Sequence, residues 1–383
     1  MSPDSDIDWI IKNYWGRMGK WLSKPKKSVL PDSFREPDKD NPVPTAEFLY
    51  WLDLEPVMSV IDERYTNEEW RITYPKKAMI KNCSAHEIKE NFSNITELHR
   101  HIKTHQNDAV LLGFNQRPDG NVETPTYETL RYFLHERLGS KGMDELMIAF
   151  VKAVKVEGEK HGIQIGVNIG EDAVPVPGAR NDEEMGYNGH YKMSGWKADI
   201  VLDLDYQLPL TKQHIGINDD EGKCFPQSMK TLTNIGIKPE NVWFDGKYAT
   251  YENIAIAQAE YFAEAHYNIA QSWTRNSNSN EYEIKRQYNK HWREKDFVPG
   301  TDIGYMMKFL VEHDKYECVG AYFRNARMAE YEEVPDTYLD DYHNRNKDEG
   351  FNGKLKMNVL NIEIFVQKGK IMVIRWISTR LCP

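Results

Sequence analysis

The hydrophobic period changes at His161, and this change constrains the possible folds more than any other feature of the sequence. From there, apolar residues alternate with polar residues or glycine, a period of two that predicts a β-strand. The apolar positions are Ile163, Ile165, Val167 and Ile169. The run ends at Glu171-Asp172, so we expect this strand to deliver a carboxylate at its end.

Further strands and helices follow in alternation. A second alternating run begins at Ala198, turns near Asp205-Tyr206 and returns to Ile217, which predicts a β-hairpin. Next come a predicted helix, a short strand, a second helix and another strand, at about 229–235, 242–244, 252–263 and 267–270. Asp245-Gly246 stops the short strand. This alternation favours an α/β fold.

The N-terminal part of the chain is predicted to be mainly helical. From Ile95 to about Val156 the apolar spacing is that of helices, with Thr124 as a predicted N-cap and Pro125 at a first helical position. The break from Gly139 to Gly142 leads to a further helix. Compact helical modules dock on DNA in many proteins and serve as plain scaffolds in others.

These patterns divide the chain into two predicted domains. Residues 1–157 form the helical region, and residues 158–383 form the α/β domain. The polar stretch from Asn276 to about Pro299 is too long for a bare loop and partly helical in pattern. We therefore predict an insertion at about 276–335.

The segment from Asp341 to Lys356 contains the most informative constellation. Its signature residues stand at offsets 0, 3, 7 and 14 and are Tyr342, Arg345, Glu349 and Lys356. On a helix these offsets fall within a stripe about 60° wide. Phe351 and Leu355 project from roughly the opposite side. Solubility alone does not require such a mixed polar column, so the stripe predicts a functional site.

Phosphodiester chemistry explains why such a stripe would need acidic partners. Two divalent ions about 4 Å apart can activate the attacking oxygen and stabilise the leaving oxygen. Magnesium prefers carboxylate oxygens and keeps several waters, so three acidic groups from separate elements suffice. Asp172, Asp245 and Glu349 are the candidates. Arg345 and Lys356 would then meet DNA phosphates, and Tyr342 could bind a phosphate or stack on a base.

The spacing Tyr-x2-Arg-x3-Glu-x6-Lys resembles the signature of the DDE insertion-sequence transposases. Other segments agree with this resemblance over roughly residues 90 to 357. Phe244-Asp245-Gly246-Lys247-Tyr248 resembles the family's second aspartate in its Asp-x-x-Tyr turn, and Glu171-Asp172-Ala173-Val174 resembles the first. The remaining similar segments are Gly195-Trp196-Lys197, Leu208-Pro209-Leu210, Leu112-Gly113-Phe114 and Thr124-Pro125-Thr126.

The resemblance implies a ribonuclease H-like mixed sheet flanked by helices, with a mainly helical N-terminal domain. It implies an enzyme that uses two Mg²⁺ or Mn²⁺ ions to cut and join double-stranded DNA, acting on terminal inverted repeats and target DNA. A homodimer on the DNA and a cytoplasmic, nucleoid-associated location in a prokaryote would follow. In such enzymes Asp172, Asp245 and Glu349 would bind metal, and Tyr342, Arg345 and Lys356 would hold DNA.

Two departures from the family pattern leave alternatives open. Val174 stands where the family has threonine, so Asp199 and Asp203 remain substitutes for Asp172 as the first acidic ligand. The tail from Met357 to Pro383 does not resemble a closing helix, which keeps an inactive or domesticated DNA-binding copy as an alternative. A ribonuclease H-like nuclease that cuts without joining is a third hypothesis.

Composition restricts the remaining function classes. The formal net charge of -10 is unusual for a DNA-binding protein, although it does not exclude basic patches such as Lys285, Arg286, Lys290, Arg293 and Lys295. No apolar run approaches a membrane span, so no membrane partner is expected. The four scattered cysteines fit a reducing compartment. Zinc binding by Cys83, His86, His99, His101 and His105 is a weaker alternative to an ordinary polar helix face.

Overall fold

A computed structural model describes residues 54–65, 74–88, 95–178, 185–269, 273–276, 279–292, 302–333 and 342–343 of the chain. Within these ranges the protein has a mixed α/β fold, as predicted. It divides into two compact units at Ala153/Val154, inside one long helix. The first unit is helical, and the second contains a mixed β-sheet flanked by helices. Among these residues no helix is long and apolar enough to cross a membrane.

The helices of the first unit are α1 (Met58–Asp62), α2 (Lys76–Ile88), α3 (Ile95–Thr104), α4 (Gln106–Leu112), α5 (Tyr127–Tyr132) and the start of α6 (Gly139–Lys160). Each places apolar residues at helical spacing into one core. Leu98 and Ile102 of α3 and Leu130 of α5 have no exposed surface. The described residues of this region are thus mainly helical.

Helix α5 begins two residues later than predicted. Its N-cap is Thr126, whose side chain accepts a hydrogen bond from the backbone N–H of Thr129. Thr124 and Pro125 precede the helix, so the prediction of Thr124 as the cap was wrong. Thr126 directly precedes the first helical residue, so its side chain reaches the N–H of the third helical residue, whereas Thr124 stands two residues before the cap position.

The second unit is organised around a six-stranded sheet. Its strands are β1 (Asn168–Pro177), β2 (Gly186–Asn188), β3 (Met193–Asp203), β4 (Leu208–Gly216), β5 (Asn241–Phe244) and β6 (Glu264–Tyr267). The order is β2-β3-β1-β5-β6, with β4 also paired to β3. β1, β3 and β4 are antiparallel, whereas β1, β5 and β6 are parallel. β3 and β4 form the predicted hairpin.

Strand β1 differs from the sequence-based prediction in both of its bounds. It begins at Asn168 rather than near Ile163, because Gly162 and Gly166 have positive φ angles of 74° and 79° that interrupt an extended chain. It also continues to Pro177, so Asp172 lies in the middle of a strand and not at its end. The prediction of a strand ending at Glu171-Asp172 was wrong.

The prolines of β1 fit into the sheet because their backbone nitrogens face away from β3. Gly178 donates its N–H to Ser194 of β3, so alternate residues along β1 turn their N–H groups toward β3. Pro175 and Pro177 therefore face the other side, where β5 has already ended at Phe244. A proline at such an edge position costs no ladder hydrogen bond.

Helices flank the sheet and follow its later strands. They are α7 (Phe225–Ile235), α8 (Tyr251–Ala255, extended by a π-helical turn to Glu260), α9 (Glu281–Trp292), α10 (Ile303–Glu312) and α11 (Tyr316–Glu333). α7 begins with a proline in its first turn and ends at Gly236 with φ 84°, the usual asymmetry of helix ends. The Phe225 ring of α7 packs edge-on against Phe244 of β5 at 4.7 Å. This contact fixes which face of the sheet α7 covers.

Candidate functional site

Asp172 occupies a central position in the sheet. It lies on β1, directly opposite Ile200 of β3, and its side chain is half-buried. Because side chains alternate along a strand, Asp172 projects to the face opposite to Glu171 and Ala173. The face that carries Asp172 is called the acidic face below, and the face that carries Glu171 and is covered by α7 is called the helix-covered face.

Asp245 comes next to Asp172 through the register of the parallel pair. Glu171 is paired with Phe244, the last residue of β5, so Asp172 and Asp245 each follow one residue later. Adjacent strands lie about 4.8 Å apart, so we expect the two aspartates, each the next residue after this pair, to lie close together. The sequence placed both residues at strand ends, 73 positions apart in the chain, and the register joins them. These two aspartates are called the acid pair.

A tight turn holds Asp245 where β5 ends. Its carbonyl oxygen accepts hydrogen bonds from the backbone N–H groups of Tyr248 and Ala249, at 2.9 and 3.1 Å. One carboxylate oxygen accepts the N–H of Gly246 at 2.5 Å. The side chain of Asp245 is half-buried. The acid pair is therefore anchored by backbone structure while its carboxylates keep access to solvent.

The other predicted site residues are described only in part. Tyr342 is half-buried and lies in a short helical segment with His343. Arg345, Glu349 and Lys356 lie outside the described residues. Of the six predicted site residues, Asp172 and Asp245 are the two that follow paired residues of neighbouring strands within the described ranges.

The two alternative first acids occupy different environments. Asp203 is fully buried and accepts hydrogen bonds from the backbone N–H groups of Gly166, Asp205 and Tyr206, so it holds the β3–β4 turn and the approach to β1. Burial raises the pKa of Asp203 to about 6, against the effect of these hydrogen bonds. Asp199 pairs with Ala173 and so lies on the helix-covered face. Neither faces the same way as Asp172.

A buried polar cluster on the helix-covered face was missed by the sequence reasoning. Glu171 is 1% exposed and accepts a hydrogen bond from the Ser228 hydroxyl of α7 at 2.6 Å. Asp199 has no exposed surface and accepts a hydrogen bond from the Tyr248 hydroxyl. Burial raises the pKa of Asp199 to about 6, and the hydrogen bonds from Glu171 and Tyr248 oppose that shift. Burial therefore keeps Asp199 protonated to a higher pH than an exposed aspartate.

A buried ion pair extends this cluster toward the Asp245 turn. Lys197 of β3 donates to Glu221 at 2.8 Å and to the carbonyl oxygen of Asp219 at 2.5 Å. Lys247 of the turn contacts the other oxygen of Glu221 at 2.7 Å. Burial raises the pKa of Glu221, but the hydrogen bonds from the two lysines outweigh it and lower the pKa below its ordinary value. Lys197 and Lys247 both belong to segments that resemble the transposase family. The resemblance did not predict that both lysines contact Glu221.

The histidine cluster and the basic patch have local partners. His101 of α3 pairs with Asp108 at 2.8 Å and stacks on His105. Lys285 and Arg286 of α9 pair with Glu281 and Glu283 one turn earlier. Across the part of the chain that the structure describes, no group of three metal-ligating side chains occurs. The acid pair would therefore need its third ligand from outside these ranges.

Comparisons with known proteins give limited information. No protein-family profile and no curated protein matches the chain. A cryo-EM structure of the piggyBac transposase synaptic complex with hairpin DNA aligns with 97% of this chain and 78% of its own chain. The identity is 11% and the TM-score is 0.28. A TM-score this low does not establish a common fold.

Proposed function

We propose that this chain is a transposase of the DDE type, which binds the terminal inverted repeats of an insertion sequence and cuts and joins DNA. The observation that supports the proposal is the parallel pairing of β1 with β5, because Asp172 and Asp245 are the residues that directly follow its last pair, Glu171 with Phe244. Acidic residues at strand ends are common, but two that follow one paired position of neighbouring strands could together hold a metal ion. The remaining ligand in this proposal is Glu349.

The residues present fit a hard divalent cation. The acid pair offers only carboxylate oxygens, is half-exposed, and belongs to β1 and to the end of the neighbouring β5, which suits Mg²⁺ or Mn²⁺. Two bound ions would supply Lewis-acid stabilisation of charge on the attacking and leaving oxygens of the phosphodiester. Asp172 and Asp245 would hold them from the sheet, and Glu349 from its predicted helix.

The strand order of the sheet also supports the proposal of a ribonuclease H-like domain. β1 lies between an antiparallel hairpin and two parallel strands, an arrangement compatible with a ribonuclease H-like domain. In this proposal Tyr342, Arg345 and Lys356 hold the DNA phosphates or a base. The helical region 1–157 binds the element end, and a homodimer assembles on the DNA.

The test is cleavage and joining of labelled element-end DNA, with ends taken from inverted repeats in the flanking genomic sequence. With Mg²⁺ or Mn²⁺ the wild type should nick the 3′ ends and join them to target DNA, and Asp245→Asn and Glu349→Gln should lose both steps. Glu240→Gln is the matched control, because Glu240 is an exposed carboxylate just before the other end of β5. It should behave like the wild type.

The other outcomes separate the alternatives. Metal-dependent cutting without joined products would indicate a nuclease of the same fold class. Binding of the ends without cutting, equal in wild type and Glu349→Gln, would indicate an inactive copy. Loss of activity in Glu240→Gln to the same extent as in Asp245→Asn would contradict the acid pair as the site.

A further inference from the structure

We infer that Tyr248 is a positioning residue for the acid pair, and that it acts by tying the Asp245 turn to β3 underneath β1. This inference rests on the proposed function, since it concerns the same two aspartates. Neither the sequence pattern nor any comparison assigns a role to this tyrosine. The structure assigns it through three sets of contacts on the helix-covered face.

The first contact spans three strands. Tyr248 follows β5, whereas its partner Asp199 belongs to β3, and β1 lies between those strands. Asp199 sits opposite Ala173, one residue beyond Asp172. The hydroxyl bond therefore links the two neighbours of β1 at the level of the acid pair. Ala173 has the smallest side chain that β1 presents on this face, which leaves room for the tyrosine.

The hydrogen bond between Tyr248 and Asp199 is shielded from solvent. Both Tyr248 and Asp199 have no exposed surface, so solvent cannot replace the hydroxyl as a donor to the carboxylate. A buried acceptor that loses its donor is costly, and the surrounding chain then tends to shift to satisfy it. Because Tyr248 belongs to the turn that carries Asp245, loss of its hydroxyl bond acts on that turn.

The second and third contacts hold the backbone of the same turn. Asn253 donates from its side-chain amide to the carbonyl oxygen of Tyr248 at 2.9 Å and to that of Gly222 at 2.7 Å. A Cβ atom at Gly222 would lie 2.6 Å from the carbonyl oxygen of Lys247. The backbone at Gly222 therefore packs directly against the backbone of the Asp245 turn. The Tyr248 hydroxyl supplies the remaining constraint, which reaches across the sheet.

The consequence is a defined effect on metal affinity. Residues that orient metal ligands typically change affinity by about 10- to 100-fold when removed. Tyr248→Phe keeps the buried ring and removes only the hydroxyl, so it should weaken Mn²⁺ binding about tenfold. Asp199→Asn retains an oxygen acceptor for that hydroxyl and should lose less than about threefold.

The experiment is isothermal titration of the full-length protein with Mn²⁺, combined with thermal unfolding in the absence of metal. Tyr288→Phe is the control, because it removes the same hydroxyl from an equally buried ring that packs on Tyr305 and Phe309. Tyr248→Phe should weaken Mn²⁺ binding about tenfold and Tyr288→Phe should not, with both variants folded at the titration temperature. Equal Mn²⁺ affinity in both variants would overturn the positioning role.

Asp245→Asn distinguishes this failure from a failure of the proposed function. If Asp245→Asn abolishes Mn²⁺ binding while Tyr248→Phe binds like the wild type, the acid pair stands and the positioning role is wrong. If Asp245→Asn leaves Mn²⁺ binding unchanged, the acid pair is not the metal site and both proposals are overturned.

Discussion

Replacing Lys197 by methionine should destabilise the protein strongly, because it leaves Glu221 charged inside the fold. The Lys197 and Glu221 side chains are each 5% exposed and joined at 2.8 Å. Removing one partner of a buried ion pair costs about 3–5 kcal/mol, since the remaining charge loses its compensation. Lys247 still contacts Glu221 from a largely exposed position, so we expect a loss near 3 kcal/mol.

Chemical denaturation at neutral pH measures this loss as a change in the unfolding free energy. The double variant Lys197→Met/Glu221→Leu should recover most of it, because an apolar pair of similar volume replaces the buried charges. Lys285→Met is the matched control: its partner is Glu281 and both side chains are about half exposed. Its cost should be about 0.5 kcal/mol or less.

The pH dependence supplies an independent check. The pKa of Glu221 is lowered in the folded protein, so its stabilising contribution is present above the unfolded pKa and is lost as pH falls through the folded value. The difference between wild type and Lys197→Met should therefore be largest near neutral pH and shrink in acid. A loss below about 1 kcal/mol, or a double variant as unstable as the single one, would refute the reasoning.

Three further predictions concern other parts of the fold. Gly320→Ala should lower stability by about 1–3 kcal/mol, because its Cβ would lie 2.1 Å from a facing carbonyl oxygen, whereas Gly304→Ala, with nothing nearer than 3.7 Å, should melt like the wild type. Thr126→Ala should cost about 1 kcal/mol through loss of the N-cap, and an equal loss in Thr124→Ala would contradict the cap assignment. The pKa of Asp203 is raised to about 6, so its contribution to stability falls as pH rises from about 4 to 6. The unfolding free energy of Asp203→Asn should therefore rise by up to about 3 kcal/mol relative to wild type over that range. Parallel curves of unfolding free energy against pH for the two proteins would exclude this.

Elements with a clear local hydrophobic period were predicted from the sequence. Features that depend on pairing between strands were missed. The β3–β4 hairpin and α7 have clear periods, so both were predicted, although they begin at Met193 and Phe225 rather than at Ala198 and Met229. For β1, the alternation before Asn168 suggested a strand, but two glycines with positive φ angles interrupt it. The two prolines after Asp172 are tolerated in the strand because β5 has already ended there.

The candidate site was predictable as residue types but not as an arrangement. Asp172 was preferred over Asp199 and Asp203 partly because those two lie in or near strand interiors, yet Asp172 also lies mid-strand. What separates Asp172 from them is its register beside Asp245 and the face on which it projects. A single sequence contains no information on cross-strand register. The buried partners of Tyr248 and Lys197 could not be predicted for the same reason.

The most direct test of the central claim is element-end cleavage by Asp172→Asn, with Asp199→Asn and Asp203→Asn measured in the same assay. If Asp172 and Asp245 are the paired metal ligands, Asp172→Asn should remain folded and lose Mg²⁺- or Mn²⁺-dependent cleavage by about 1,000-fold or more, in the range of a lost essential catalytic group. Wild-type cleavage by Asp172→Asn, together with its loss in Asp199→Asn or Asp203→Asn, would contradict the account.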